Sequence, residues 1–330
     1  MPSPIFYDLH RANPQAIATE LGEGLLAPNA HTSPKYLYDK LGSCLFDAIT
    51  ELTEYYPTRT EAAILAQHSS AIAAALPSGA ALVDLGAASC AKAARLFGAL
   101  QPSRYVAVDI SADYVRGALT ALAQQHPQLP MVGVGMDFSS HLDLPSPLLA
   151  SMQGAPVIGF YPGSSIGNFT PPEALAFLQR IRSMCQSTQS ENGGGVLIGV
   201  DLVKPSAILE PAYDDALGVT AAFNRNMLRH INQLIGANFD ARDWQHVAFF
   251  NTALSRIEMH LEAKRALTVR WGADPKSYER QFAAGERIHT ENSYKWTPDG
   301  FKNLLISAGF AHTQMWTDVD GYFAVFSAVL

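Results

Sequence analysis

The chain has 330 residues, a formal net charge of −7, and 48% hydrophobic against 16% charged residues. That length predicts one large domain with an insertion, or two domains, and the ordinary polar balance excludes a disordered chain. The acidic balance, without any Lys/Arg stripe, argues against nucleic acid as a partner, and Cys44, Cys90 and Cys185 lie too far apart for a CxxC pair, a disulfide framework or a thiolate metal site.

The opening MPSPIFYDLHRANPQ lacks the basic start, apolar run and small-residue cleavage site of a signal peptide, so a cytoplasmic protein is expected. Residues Thr60 to Leu76 read as an Ala-rich helix. The most apolar stretch, AIAAALPSGAALVDLGAA, is broken by Pro77, Ser78, Gly79 and Asp84 before reaching the roughly 20 residues of a bilayer helix, so no membrane span is expected. ALVDLG predicts a strand ending at Gly86, AKAARLFGAL a helix, and YVAVDIS a second strand ending in Asp109. Helical pattern returns from Ala112 to Gln125, MVGVGMDF predicts a third strand closing on Asp137 and Phe138, and VIGFYPGS and GVLIGVDL two more. Strands alternating with helices at these intervals predict a mostly parallel, doubly wound α/β sheet whose ligands bind beyond the strands' carboxyl ends.

Beyond Asp201 the pattern changes. AYDDALGVTAAFNRNMLRHINQLIG predicts a long helix and SRIEMHLEAKRALTVRW two extended segments, together an insertion. PDGFKNLLISAGF then predicts a helix, and GYFAVFSAVL final antiparallel strands of the same sheet.

The strand ends carry the chemistry. Gly86 follows the first strand, where a missing side chain admits a ligand close to the backbone, but the next residues are Ala87, Ala88, Ser89 and Cys90 rather than the glycines of a pyrophosphate loop. A dinucleotide, and with it a nicotinamide-dependent oxidoreductase, is disfavoured. Asp109 is placed to accept from a ribose diol, and Asp137 with Phe138 to take an adenine amino group and cover the base. Together they describe adenosine without phosphates, which S-adenosylmethionine supplies. Taken singly, such an Asp is more often a turn or cap residue and Phe138 core; their joint spacing favours the pocket.

Three further segments are rich in special residues: YDKLGSCLFDAITELTEYYPTRTEAAIL, GFYPGSSIGNF and IHTENSYKW. With AYDDALGVTAAFN they resemble, over nearly the whole chain, the histidine-specific N-alpha-methyltransferases of ergothioneine biosynthesis. The resemblance implies a class I S-adenosylmethionine-dependent methyltransferase fold, Rossmann-like, with an inserted acceptor-binding domain. On this reading 61–202 plus 296–330 form the methyltransferase domain and 1–60 plus 203–295 the substrate-binding domain. It implies three successive methylations of L-histidine to hercynine, with S-adenosylhomocysteine as coproduct. Tyr38, Gly86, Lys92, Asp109, Asp137 and Phe138 match the family's cofactor positions, and Tyr55, Gly163, Asn168, Tyr213, Thr220, Met259, Glu291 and Ser293 its histidine pocket. The loop AASCAK is poorer in glycine than the usual methyltransferase signature.

The pocket residues suit a zwitterion. Asn168 and Tyr213 supply groups for the carboxylate and amine, while Glu291 and Ser293, two apart on one strand-like face, match the N–H and lone pair of an imidazole. Tyr55 and Tyr213 are the candidates to assist loss of the amine proton. Against these stand plainer readings: Asn168 or Thr170 as a helix cap, Glu291 as a surface charge, Met259 and the Tyr55–Tyr56 pair as core, Arg59 with Glu61 as an ion pair. The ten histidines form neither HExxH nor a tight cluster in sequence, so no metal is expected. The expected partner is the small-molecule substrate alone, bound by a monomer. The rival readings are an enzyme of the same architecture acting on a different amino acid or small amine, and a non-catalytic binding protein keeping the nucleoside pocket.

Overall fold

A computed structural model describes residues 4–9, 13–139, 141–273 and 276–330. The chain forms two units: residues 57–203 and 295–330 with the N-terminal strand, and residues 13–56 with 204–294. In chain order the first unit holds β1 (Ile5–Asp8), β2 (Ala81–Leu85), β3 (Arg104–Asp109), β4 (Met131–Gly135), β5 (Val157–Tyr161) and β6 (Gly195–Asp201). The second holds β7 (Trp244–Asn251), β8 (Arg256–Ala263), β9 (Leu267–Ala273), β10 (Lys276–Phe282) and β11 (Arg287–Tyr294), after which the chain returns to the first unit for β12 (Ala311–Thr317) and β13 (Phe323–Val329).

In the first unit eight strands form one sheet in the order β1-β4-β3-β2-β5-β6-β13-β12. Neighbours from β1 to β6 are parallel, and β13 runs antiparallel between β6 and β12. Because side chains alternate across a strand, a sheet covered on both faces needs unbroken apolar runs, and every residue of β2, β4, β5 and β6 is buried. One face packs Val83, Val106 and Ile198 against Phe177, Ile181 and Phe301; the other packs Leu82, Ala107 and Phe160 against Ile64, Val115 and Leu119. The strand order reverses at β2, with β3 on one side and β5 on the other, so a crevice for ligand opens beyond the carboxyl ends of this pair. This is the doubly wound sheet that the alternation predicts and the Rossmann-like, class I arrangement that the resemblance implies.

Several expectations shift. The segment 1–60 does not stay together: β1 pairs with β4, and Phe6 lies so close over Gly133 that a Cβ there would collide with its ring. The predicted helix Thr60–Leu76 is two, Tyr56–Gln67 and Ser69–Ala74, parted at His68. AKAARLFGAL likewise yields two short helices, Ala91–Ala94 and Phe97–Leu100. Strand β4 ends at Gly135, leaving Asp137 and Phe138 in the following loop.

In the second unit β11-β8-β7 form an antiparallel sheet and β10-β9 a separate pair. The helix predicted from Ala212 begins only at Val219: Gly218 precedes it at φ +74°, and the Asp215 carboxylate accepts from the amides of Val219 and Thr220 at 2.9 and 2.7 Å. It runs to Ile235 and buries Phe223, Met227, Leu228 and Ile231. Tyr213 therefore lies outside the helix, after a single 3-10 turn, Glu210–Ala212.

Candidate active site

In the first unit the loops after β2, β3 and β5 converge at the strand-order reversal. Gly86 takes φ +77°, and a Cβ there would face the Phe138 ring at 3.6 Å. The next turn bends through Ala88 and Cys90, both at positive φ, which costs strain that glycine would avoid. Asp109 secures that turn: its carboxylate accepts from the Ala88 amide at 3.0 Å and the Ser111 amide at 2.8 Å. Burial pushes its pKa up against those hydrogen bonds, which favour the charged form. Asp137 accepts from the Ser139 amide at 3.1 Å, and the Phe138 ring packs edge-on to Tyr161.

Lys92, on the short helix after this loop, reaches Glu61 Oε2 at 2.8 Å, and the Gly163 amide donates to Glu61 Oε1 at 2.7 Å. Glu61, suggested by the sequence only as a partner for Arg59, is thus the carboxylate that meets both loops. Asn168 ends a 3-10 turn, Ser165–Asn168, and it is Thr170 that makes the capping box of helix Pro171–Gln186 with Glu173, so the cap reading of Asn168 fails.

The second unit gathers the remaining residues. Tyr38, Phe46 and Phe223 pack edge-to-face or tilted within 6.0 Å of one another, Phe46 continues to Tyr55 at 6.1 Å, and Tyr55 to Tyr213 at 6.3 Å. Tyr213 Oη and Ser293 Oγ share a hydrogen bond of 2.7 Å. Ser293 and Glu291 project from one face of β11, beside Ile257 and Met259 of β8. Glu291 is 7% exposed and Ser293 4%, so Glu291 is no surface charge. Met259 is buried, and its carbonyl accepts from the Thr290 hydroxyl at 3.0 Å. Thr220 is held at the start of its helix by Asp215.

Two supporting residues were missed. His246 Nε2 donates to the Tyr213 carbonyl at 2.7 Å, and the Asn224 amide donates to Nδ1 at 2.9 Å, which sets the tautomer. Burial lowers the His246 pKa, keeping the ring neutral. Nothing in spacing pairs residues from a loop, a helix and a strand.

The opposite face of β8 and β11 holds a grouping that sequence spacing does not reveal. Glu258, His260 and His289 bring ligand-type atoms within 4.8 Å of one another, a cluster hidden in the sequence because β11 is distant along the chain. Burial would raise the Glu258 pKa, but hydrogen bonds from Arg256, Asn251 and His260 bring it down to about 2. The ionised Oε2 obliges His260 Nε2 to be the donor at 3.0 Å, and both Arg256 bonds fall on Oε1, so Glu258 is engaged by a salt-bridged network.

Residues 17–330 match the family described as histidine-specific methyltransferase, SAM-dependent. The chain is 40% identical to the histidine N-alpha-methyltransferase of Mycolicibacterium smegmatis over 96% of its own length and 95% of that protein's. Its identity to the histidine N-alpha-methyltransferase of Mycobacterium tuberculosis is 38%, covering 94% of each. Ergothioneine biosynthesis protein 1 of Neurospora crassa is 29% identical over 87% of this chain and 32% of that longer protein. The reversal-point crevice, the phosphate-free glycine turn and this near-complete match lead to one conclusion: the chain belongs to the histidine-specific, S-adenosylmethionine-dependent methyltransferase family.

Proposed function

We propose that the protein methylates the α-amine of L-histidine three times, producing hercynine, as a monomer in the cytoplasm. The observation that carries the acceptor assignment is the buried Glu291–Ser293 face of β11, with Tyr213 Oη hydrogen-bonded to Ser293. An imidazole offers one N–H and one lone pair; Glu291 accepts the first and the Ser293 hydroxyl donates to the second. Tyr213 orients that hydroxyl, and His246 fixes the Tyr213 backbone.

The cofactor residues fit an adenosyl sulfonium on the same terms. Gly86 leaves room before Phe138, Asp109 is anchored by two amides for a ribose diol, and Lys92 presents an ammonium beside the glycine turn. When bound, S-adenosylmethionine supplies a methyl group already activated by its sulfonium, so the transfer requires no Lewis acid. The chain's own task is to align the amine with that methyl and to exclude water. An α-amine is largely protonated at neutral pH, so a proton must leave before each attack; on this reading Tyr55 and Tyr213 hold the amine and pass that proton to solvent. Their ring faces also suit the permanent cation of the product.

The protein has free thiols at Cys44, Cys90 and Cys185, as a reducing compartment leaves them. Among the described residues no helix is long and apolar enough to cross a membrane. Mass spectrometry of purified protein with S-adenosylmethionine and each amino acid in turn tests the proposal. Mono-, di- and trimethylhistidine are expected. Turnover of another amino acid with histidine inert would replace histidine as the acceptor.

A further inference from the structure

Glu61 is a buried carboxylate in contact with the proposed cofactor site, and no binding role accounts for it. It sits on helix Tyr56–Gln67 with 1% exposure. A carboxylate so buried persists only when both oxygens are matched. Here one oxygen takes the Lys92 ammonium at 2.8 Å and the other the Gly163 amide at 2.7 Å. The surroundings are cut to fit it. A Cβ on Gly199 in β6 would collide with Glu61 Oε1, and one on Gly163, whose φ is +77°, would come within 2.9 Å of Lys92 Nζ. Lys92 lies on the short helix that follows the loop after β2, and Gly163 in the loop after β5, the two strands at which the sheet order reverses.

We infer that Glu61 is a positioning residue that fixes the Lys92 ammonium and the Gly163 loop at the crevice, so that Lys92 meets the amino-acid end of the cofactor already oriented. The inference rests on the assignment of Lys92 to the cofactor. A lysine side chain carries four rotatable bonds, and ordering it at the moment of binding costs affinity that prior anchoring spares. The Lys92 side chain remains 36% exposed, so the ammonium keeps donors for a ligand carboxylate while Glu61 holds one. This anchoring suits the loop: glycine-poor and strained at Ala88 and Cys90, it gains definition from a side chain outside itself.

The experiment is calorimetry with two probes, S-adenosylhomocysteine and methylthioadenosine, which lacks the amino-acid end. Wild type is compared with Glu61→Gln, Lys92→Met and the double variant, each checked by thermal melting. Glu61→Gln is expected to weaken S-adenosylhomocysteine roughly tenfold and methylthioadenosine less than about twofold. It should add nothing in the Lys92→Met background, because the effect passes through Lys92. Equal loss for both probes, or an additive loss in the double variant, would overturn the inference by reducing Glu61 to a fold-keeping residue. If Lys92→Met leaves S-adenosylhomocysteine binding intact, the assignment of Lys92 itself fails, and the inference with it. Should Glu61→Gln not fold, Glu61→Asp, which keeps the charge but cannot span both partners, is expected to give the same split between probes.

Discussion

Tyr213 Oη lies 2.7 Å from Ser293 Oγ, and this bond joins the 3-10 turn before the long helix to the β11 face that carries Glu291. Removing the Tyr213 hydroxyl by Tyr213→Phe forfeits at least the neutral hydrogen bond to Ser293, about 1 kcal/mol, and is expected to raise the KM for histidine roughly fivefold and, through the lost proton carrier, to lower kcat. Glu291→Gln replaces a charged acceptor and should raise that KM roughly 10- to 100-fold. Binding of S-adenosylhomocysteine should stay within about twofold for both. Steady-state kinetics paired with calorimetry reads this; a loss of nucleoside affinity matching the loss for histidine would contradict the pocket assignment.

The network behind that face sets an acid limit on stability. Burial, with the neighbouring His260, lowers the His289 pKa to about 4. Between about 4 and 6.5 the unfolded chain therefore binds a proton that the folded chain refuses, and stability falls as the pH drops through that window. Glu258, near 2, adds a further loss as the pH falls below its ordinary 4.5. The thermal midpoint of His289→Gln, which cannot take the proton, is therefore expected to rise relative to wild type as the pH falls from 6.5 to 4. A variant as acid-sensitive as wild type across that window would clear His289 of the effect.

Much of this arrangement is readable in the chain because it follows from local physics. Strands β2 to β6 announce themselves as apolar runs, since both faces of the sheet are covered. Asp109 shows itself as a strand-end acid, and Glu291 with Ser293 as a two-residue spacing on one face. What stays hidden depends on partners far along the chain. Strand β1 is four residues long and becomes a strand only by pairing with β4. Glu61 stands 31 residues from Lys92 and 102 from Gly163, so its only signal was a carboxylate in the otherwise apolar run EAAIL. The break at His68 lies inside an Ala-rich pattern, and the late start at Val219 follows Asp215 and Gly218, a capping acid and a glycine lying within the apolar spacing that suggests helix from Ala212.

Gly163 and Gly154 offer a matched pair for separating strain from function. Both take positive φ, +77° and +79°, so alanine at either costs about 1 to 2 kcal/mol in backbone strain. At Gly154 nothing lies within 4 Å of the added Cβ, whereas at Gly163 it meets Lys92 Nζ at 2.9 Å. Both variants should melt a few degrees lower, and only Gly163→Ala should weaken S-adenosylhomocysteine. Equal affinity in the two would mean that the Lys92 ammonium moves aside without consequence.

Asp84 gives the opposite pH signature to His289. It sits one residue before the end of β2, fully covered, with the Tyr105 hydroxyl donating to Oδ2 at 2.7 Å. Burial raises its pKa to about 7, more than the Tyr105 bond and the Lys92 charge lower it. The folded chain thus keeps a proton that the unfolded chain releases near 3.8, and the stability this contributes is lost as the pH rises towards about 7. Asp84→Asn cannot ionise but retains an oxygen to accept from Tyr105. Its thermal midpoint relative to wild type should therefore climb between pH 4 and pH 7 and level off above, which differential scanning fluorimetry across that range measures. A constant difference at every pH would place the Asp84 proton outside the folding equilibrium and leave only the change of side chain.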